Sequence, residues 1–300
     1  MRALFDADVV VFRAGFAAEK NRWFLSVGGE APEIISYKKD ALLRLDELLP
    51  GKESRVEGED YELWAEKYVE PLENALHLVK NIIEKALHNV ECSDVDAKMF
   101  LSGPTNFRYE VATTRPYKGN RDKSHRPTHE KEIRKFIRSQ WDTVVCDGIE
   151  ADDGLGIHQT RYGPHDSVII SVDKDLDMIP GFKYNFVHDI HYDVSPSVAW
   201  KTFCLQLLTG DTTDNIPGLK GVGKSKAQKM LDGLPQEEWL EECARQYASK
   251  SGQKDWFTYM TEQAQLIWIM QKEGEMFTLP EELESLGGHS DGTVETSLFY

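Results

Sequence analysis

No apolar run in the 300 residues approaches the roughly eighteen that a membrane-spanning helix needs. Nor is a secretory leader expected, because Asp6 and Asp8 interrupt what would be its apolar stretch. Cysteine is scarce. Cys92, Cys146, Cys204 and Cys243 are scattered with no CxxC pair, which excludes a zinc ribbon or a disulfide framework and suits a reducing cytoplasm. Positive charge is short as well: 35 Lys and Arg against 51 Asp and Glu leave a formal charge of −16, which taken over the whole chain speaks against a nucleic-acid partner. There is no internal repeat. What remains, 40% hydrophobic and 29% charged residues, is the composition of a soluble globular chain of one large or two small domains.

The distribution of charge reverses the first impression. Residues 115–138 hold Arg115, Lys118, Arg121, Lys123, Arg126, Lys131, Arg134, Lys135 and Arg138 against Asp122, Glu130 and Glu132. Lys220, Lys224, Lys226 and Lys229 form a second basic island, whereas the segment beyond Asp232 is strongly acidic. An acidic body with two basic islands is compatible with a polyanion bound at one place.

The run VIISVDKDLDMIPG at 168–181 organises the rest. Val168–Val172 is apolar but for Ser171 and rich in β-branched residues, the pattern of a strand buried on both faces in a parallel sheet. It ends on Asp173 and Asp175, where ligands bind in such sheets, beyond the carboxyl ends of the strands. ALF (3–5) ends on Asp6 in the same way; AKMFL (97–101), VVC (144–146) and YNFVH (184–188) read as further strands. Helices are expected over 39–49, 71–89, 128–140 and 151–161, then over 195–208, 223–231, 235–248 and 254–271. WFLSV and EIISY (23–27 and 33–37) flank Gly28-Gly29 as a hairpin, and 51–62 reads as a polar loop. The fold class is therefore α/β, a mostly parallel sheet flanked by helices, followed by a helical C-terminal part.

Asp6, Glu150, Asp152, Asp153, Asp173, Asp175, Asp211 and Asp214 all fall at strand ends or helix starts. Any one of them serves equally well as a helix cap. As a set at ~5 Å spacings they would repel by about 3 kcal/mol per adjacent pair at an effective dielectric of about 20. Cations remove that cost, and oxygen-only ligands favour Mg²⁺ or Mn²⁺ over zinc. In TGDTTDNIPGLKGVGKSKAQKML (209–231), glycines forbid regular structure until a helix begins near Lys224. Backbone N–H groups of such a turn cradle a phosphate. Lys220, Gly221, Gly223, Lys224, Ser225 and Lys226 are the candidate contacts to a DNA backbone. Gly218, Gly223, Lys224 and Ser225 formally match the P-loop spacing, but the strand a P-loop requires upstream is missing.

In this order GIEADD (148–153), SVDKDL (171–176) and GDTTDNIPGLKGVGKSKA (210–227) resemble the phage and bacterial 5′-nuclease family of flap endonucleases and 5′→3′ exonucleases. FDADVVVFRA (5–14) resembles the first strand of that family, and NFRYEVATTRPYKGNR (106–121) the segment leading into its helical arch. The resemblance covers about residues 3–231. It implies a PIN-like sheet, a helix–hairpin–helix element at 209–231 that in the family often holds K⁺, and two or three Mg²⁺ ions. Asp6, Glu150 and Asp152 resemble ligands of a first metal and Asp173, Asp175, Asp211 and Asp214 those of a second, with Asp153 near either. Lys118 resembles the lysine that approaches the scissile phosphate and Arg121 a neighbouring phosphate contact, with Tyr117 the third member of the catalytic group and Arg115 a further DNA contact.

Two departures stand out. Only 31 residues separate Lys118 from Glu150, which implies a short or open arch. And FLSGPTNFR (100–108) lacks the acid the family carries a few residues before its Phe-Arg pair, so Leu101, Ser102 or Gly103 stands in its place. Asp8 or water is expected to substitute.

The expectation is a metal-dependent 5′→3′ exonuclease of phage type with flap-type or RNase H-like capacity. Its partners would be duplex DNA with a 5′ end or flap, RNA·DNA hybrid and replication proteins. Residues 1–192 would form the catalytic domain, 193–275 the helical part, and 276–300 an acidic, partly disordered tail. A non-catalytic DNA-binding scaffold and a PIN-type ribonuclease are the competing readings.

Overall fold

The computed structural model describes residues 1–51, 55–122 and 125–287. Strand β1 (Arg2–Asp6) runs directly into helix α1 (Ala7–Ala17), and β2 (Glu19–Val27) turns back through Gly28-Gly29 into β3 (Glu33–Ile35). Next come α2 (Lys38–Leu48), β4 (Tyr61–Val69) and α3 (Leu72–Asn89), then β5 (Ala97–Asn106), the single turn α4 (Arg108–Val111) and α5 (Glu130–Gln140). β6 (Asp142–Gly148), α6 (Ala151–Tyr162) and β7 (Ser167–Ile170) lead to a hairpin of β8 (Gly181–Asn185) and β9 (Ile190–Val194). The chain continues as α7 (Pro196–Thr209), α8 (Lys224–Leu231), α9 (Trp239–Lys250) and α10 (Trp256–Ile267). No helix among the described residues is long and apolar enough to cross a membrane.

The chain divides into two compact units. The first comprises residues 1–8, 85–122 and 141–287 of those described. It holds a six-stranded sheet in the order β6-β5-β1-β7-β8-β9. All neighbours are parallel except β8 and β9. The central strands are buried on both faces, with Ala3, Leu4, Phe5, Met99, Phe100, Ile169 and Ile170 almost wholly enclosed, as their continuous apolar runs require. α6 packs across β1, β5 and β7. Ser195 caps α7 by accepting from the Val198 N–H at 3.2 Å, with Pro196 in the first turn, and Asp255 caps α10 by accepting from the Thr258 N–H at 3.0 Å.

The expected boundary near 192 is not where the molecule divides. Leu4, Phe100 and Ile169 from the sheet share one core with Phe203 and Leu207 of α7, Tyr247 of α9 and Met260 of α10. The helical C-terminal part belongs to the same unit because its apolar faces are buried against the sheet and not against each other alone. The acidic tail is structured as far as residue 287. Leu279 is buried in that core, and Glu281–Gly287 forms a 3₁₀ helix with Leu283 and Leu286 packed on it; residues 288–300 lie outside those described.

The second unit, Val9–Glu84 and His125–Gln140, contains an antiparallel sheet in the order β3-β2-β4. α2 packs on β2, burying Ala41 and Leu45, while Phe24 and Trp64, cross-strand partners, stack with ring centroids 5.3 Å apart. β4 begins inside the stretch expected to be a loop. It mixes Glu62, Glu66 and Lys67 with aromatics and pairs along its whole length with β2, which makes it a strand that is nowhere fully buried.

Candidate active site

The C-terminal ends of β1, β6 and β7 and the loop after α7 bring the acids together. Glu150, Asp152, Asp175, Asp211 and Asp214 line one cleft with Tyr117 and Arg108. Asp6 is buried at the end of β1, where its carboxylate accepts from the Ser171 hydroxyl at 2.7 Å. The same hydroxyl accepts from the Asp173 N–H at 3.0 Å, so one serine ties the two strand ends. Asp173 accepts from the Asp175 N–H at 2.9 Å, which holds the turn leading to Asp175, and Gln206 of α7 donates to Asp175 at 3.2 Å.

Electrostatics confirm the crowding. Burial, then the charges of Asp6, Asp173 and Glu150, hold Asp152 well above the usual carboxylate range. Burial, then Asp173, Asp211 and Asp214, pushes Asp175 up to about 7. Among the described residues no three such side chains already enclose a single point at ligand distance. The carboxylates are instead held by cations and hydroxyls. The Lys118 ammonium pairs with Glu150 and stands 3.7 Å from Asp214, and the half-exposed Arg121 guanidinium pairs with Asp214. The buried Tyr117 hydroxyl donates to Asp214 at 2.7 Å and lies 3.1 Å from Glu150. Burial and those two charges raise its pKa, so it stays a donor.

Lys118 adopts φ 53°, a left-handed conformation that costs a residue with a β-carbon about 1–2 kcal/mol. The bond from its N–H to the Asp214 carbonyl, 2.9 Å, holds it there. The loop that carries Asp211 and Asp214 is closed by glycines. Gly210 and Gly218 both have positive φ, and a β-carbon on Gly218 would stand 2.2 Å from the Gly210 nitrogen.

Asp153, expected near the metals, adjoins Glu150 but is engaged by Arg108. It is fully buried and grips Arg108 through two bonds of 2.7 and 2.9 Å, and its oxygens also accept from the N–H groups of Glu150 and Met270. Arg108 in turn donates to the Leu266 and Trp268 carbonyls at 3.0 and 2.6 Å. Arg108, Ser171 and Gln206 belong to the site beyond the residues expected from the sequence; Arg108 stands in the Phe-Arg pair, but its burial is not visible in an exposed-looking FRYE.

At the expected missing acid the structure narrows three positions to one. Leu101 is fully buried in the core, and a β-carbon on Gly103 would stand 2.5 Å from the Cys146 carbonyl oxygen. Ser102 remains. Its hydroxyl accepts from the Ala151 N–H at 3.1 Å, and its own N–H donates to the Asp8 carboxylate at 2.9 Å. Burial, then Asp153, Asp8 and Asp152, pushes the Cys146 thiol up to about 12.

The basic turn is built as a peg board. Leu219, Val222 and Ala227 are buried, while Lys220, Gly221, Gly223, Lys224, Ser225 and Lys226 all face solvent. Gly223 caps α8 without a side chain, leaving the first N–H groups of the helix open. Arg115 is exposed and is not drawn to the acids.

Curated relatives were found among bacterial polymerases. The chain is 28% identical over 179 residues to the thermostable DNA polymerase I of Thermus thermophilus, covering 54% of this chain and 20% of the relative. It is 32% identical over 102 residues to that of Thermus aquaticus (31% and 12%), and 29% over 171 residues to DNA polymerase I of Bacillus subtilis (50% and 19%). The chain resembles the 5′-nucleases. This 5′-nuclease-like chain spans between about an eighth and a fifth of those relatives' length. No family model matches it. Among solved structures, T5 5′-exonuclease with divalent metal ions (zinc) bound aligns at a TM-score of 0.49 and 16% identity, over 89% of this chain and 88% of that one. The T5 D15 protein co-crystallized with metal ions aligns at 0.46 and 20%, over 64% and 79%.

The raised Asp175 carboxyl gives a stability signature. Its folded pKa lies above the unfolded one, so the folded protein holds that proton more tightly and loses stability as pH rises between about 4 and 7. In metal-free protein, Asp175→Asn is expected to melt about 5 °C higher than wild type near pH 8, with the gap closing towards pH 4, after discounting for solvent screening. Thermal denaturation in EDTA across that range checks it; a variant melting lower at every pH would refute the crowding.

Proposed function

We propose that the chain is a divalent-metal-dependent 5′→3′ exonuclease with flap-type or RNase H-like capacity, acting on phosphodiester bonds of DNA. The observation that supports it is the convergence of five acids from three distant segments on one cleft, crowded by Asp6 and Asp173 and faced by Tyr117, Lys118 and Arg121. The donor set fits hard divalent cations: every candidate ligand is a carboxylate oxygen, and Asp152 and Asp175 are crowded by neighbouring negative charge. Asp6, Glu150 and Asp152 would hold one ion and Asp173, Asp175, Asp211 and Asp214 another, with Asp8 beside the first. Such ions supply an activated water and stabilise the leaving oxygen. Asp153 is left to Arg108.

The chain's own residues do the rest. Lys118 ends between Glu150 and Asp214, where a phosphate oxygen can exchange for a carboxylate as its partner. Its charge then sits against the negative charge that grows in the transition state. Arg121 supplies a second, half-exposed cation beside it, and Tyr117 fixes the two acids that Lys118 engages. The exposed lysines and open N–H groups at 220–226 act as a helix–hairpin–helix grip on the duplex backbone, away from the chemistry.

End-labelled 5′-flap, blunt duplex and RNA·DNA hybrid, each with Mg²⁺ and with EDTA, test the reading. Labelled 5′ products that vanish in EDTA are expected. Duplex binding with no cleavage of any substrate in Mg²⁺ or Mn²⁺ would favour the scaffold. The two cationic regions should separate: Lys118→Ala is expected to slow single-turnover cleavage about 100-fold with little change in affinity. Lys224→Ala/Lys226→Ala should weaken binding and flatten its salt dependence by about one slope unit per lost contact. Equal effects of both variants on binding and turnover would count against this division.

A further inference from the structure

Just upstream of Tyr117 and Lys118 the chain is held by an acid that no sequence motif contains. Glu262 lies in α10 with 8% of its surface exposed, and its carboxylate accepts four hydrogen bonds from two adjacent residues. One oxygen takes the Thr113 and Thr114 N–H groups at 3.1 and 2.8 Å; the other takes their hydroxyls at 2.6 and 2.8 Å. Hydrogen bonds to an ionised acceptor are the strong ones, and here four converge on one short stretch of backbone.

The far end of the same strip is fastened to the loop that carries Asp214. Asn215 donates through its side chain to the Pro116 carbonyl at 2.9 Å, Asn120 to the Thr212 carbonyl at 2.6 Å, and Arg121 to the Thr213 carbonyl at 3.3 Å. Residues 113–121 are thus stretched between two anchors, with Tyr117 and the left-handed Lys118 in the middle. Pro116 stiffens the link from the first anchor to Lys118, because its ring fixes its own φ and restricts Arg115 to extended conformations. Without Glu262 the strip would lose its upstream anchor and be held only from Tyr117 onward.

We propose that Glu262 is a positioning residue for Lys118: by clamping Thr113 and Thr114 it sets where the Lys118 ammonium meets Glu150 and Asp214, without touching substrate itself. The inference rests on the nuclease reading for its consequence in catalysis, and on the hydrogen bonds alone for the clamp. Glu262 lies beyond residue 231, so the C-terminal helices would take part in catalysis and not only in folding.

The test uses the full chain with Glu262→Ala and Glu262→Gln, each alone and combined with Lys118→Ala. Single-turnover cleavage of a 5′-flap in saturating Mg²⁺ is followed beside hydrogen exchange of residues 109–121 in metal-free protein. Glu262→Ala is expected to cut about 100-fold more slowly, the scale of loss from a displaced catalytic group. In the Lys118→Ala background the same change should cost less than about twofold, because the two act through one path. Glu262→Gln, which keeps a carbonyl for the two backbone N–H groups and offers its amide to the hydroxyl oxygens, should stay within about tenfold of wild type. Exchange at the Thr114 and Lys118 amides should speed up in Glu262→Ala.

Equal losses in both backgrounds, or an alanine variant that cuts like wild type, overturn the proposal. A wild type that cuts no substrate defeats the nuclease reading instead, and unchanged amide protection in Glu262→Ala then defeats the clamp separately. Should Glu262→Ala not fold, Thr113→Val/Thr114→Val removes the two hydroxyl bonds, keeps the backbone pair, and carries the same comparison.

Discussion

Asp173→Asn is expected to lose cleavage by about a thousandfold, equivalent to roughly 4 kcal/mol of transition-state stabilisation, while keeping its fold and its grip on duplex. Asp173 is the acid common to both halves of the cluster, since its charge raises Asp152 on one side and Asp175 on the other. Its structural duty is slight. One oxygen accepts from the Asp175 N–H at 2.9 Å, and the amide oxygen of asparagine can do the same. Removing one negative charge from mutually repelling carboxylates should leave the metal-free protein at least as stable as before. Loss of function and loss of stability are thereby separated. Single-turnover cleavage and duplex binding in Mg²⁺ read the first, thermal denaturation in EDTA the second. Near-wild-type cutting by the folded variant would remove Asp173 from the ligand set.

Arg108→Met should do the opposite and damage the fold most. The guanidinium and Asp153 are both buried, at 2% and 0% exposure, and neutralise each other there. Taking away one partner of such a pair leaves a buried charge uncompensated and costs about 3–5 kcal/mol, a fall in melting temperature of roughly 10 °C for a chain of this size. Arg108→Met/Asp153→Leu should recover part of the loss, since no charge is then stranded. Recovery would be incomplete because the Glu150 and Met270 N–H groups lose the oxygens they donate to. Denaturant titration of the three proteins checks this. A single variant within a degree or two of wild type would show that water reaches the site.

Much of this was legible in the chain because acids at the ends of short apolar strands carry a positional meaning. Asp6 ends β1 and Asp173 follows three residues after β7, and a parallel sheet gathers such strand ends at one edge. The hairpin at Gly28-Gly29 and the helices α3 and α7 follow from local periodicity. The misreadings share a physical cause, which is that burial depends on partners distant in sequence. β4 mixes Glu and Lys with aromatics and looks polar until β2 is laid beside it. β8 was placed three residues late and β9 passed over, because IHYDV carries polar residues suited to an edge strand. Asp153 shares its motif with Asp152, and only the arrival of Arg108 from 45 residues away separates their roles. Glu262 gave one faint signal, the lone acid in an otherwise uncharged helix; its four donors lie about 150 residues upstream.

The position of β1 bears on how the molecule comes into being. Ala3 pairs with Ala97 and Arg2 with Ser167, so the first strand made is the third of six across the sheet. Its two neighbours leave the ribosome long after it. At ~5–20 residues per second, Ala3, Leu4 and Phe5 wait roughly 10–30 s between their own synthesis and that of the second neighbour. Through that interval the most buried segment of the finished protein is a bare apolar strand with both edges open, and pairing it then requires closing long loops. The order of strands thus puts the tempo of translation among the factors that decide how much of the chain folds.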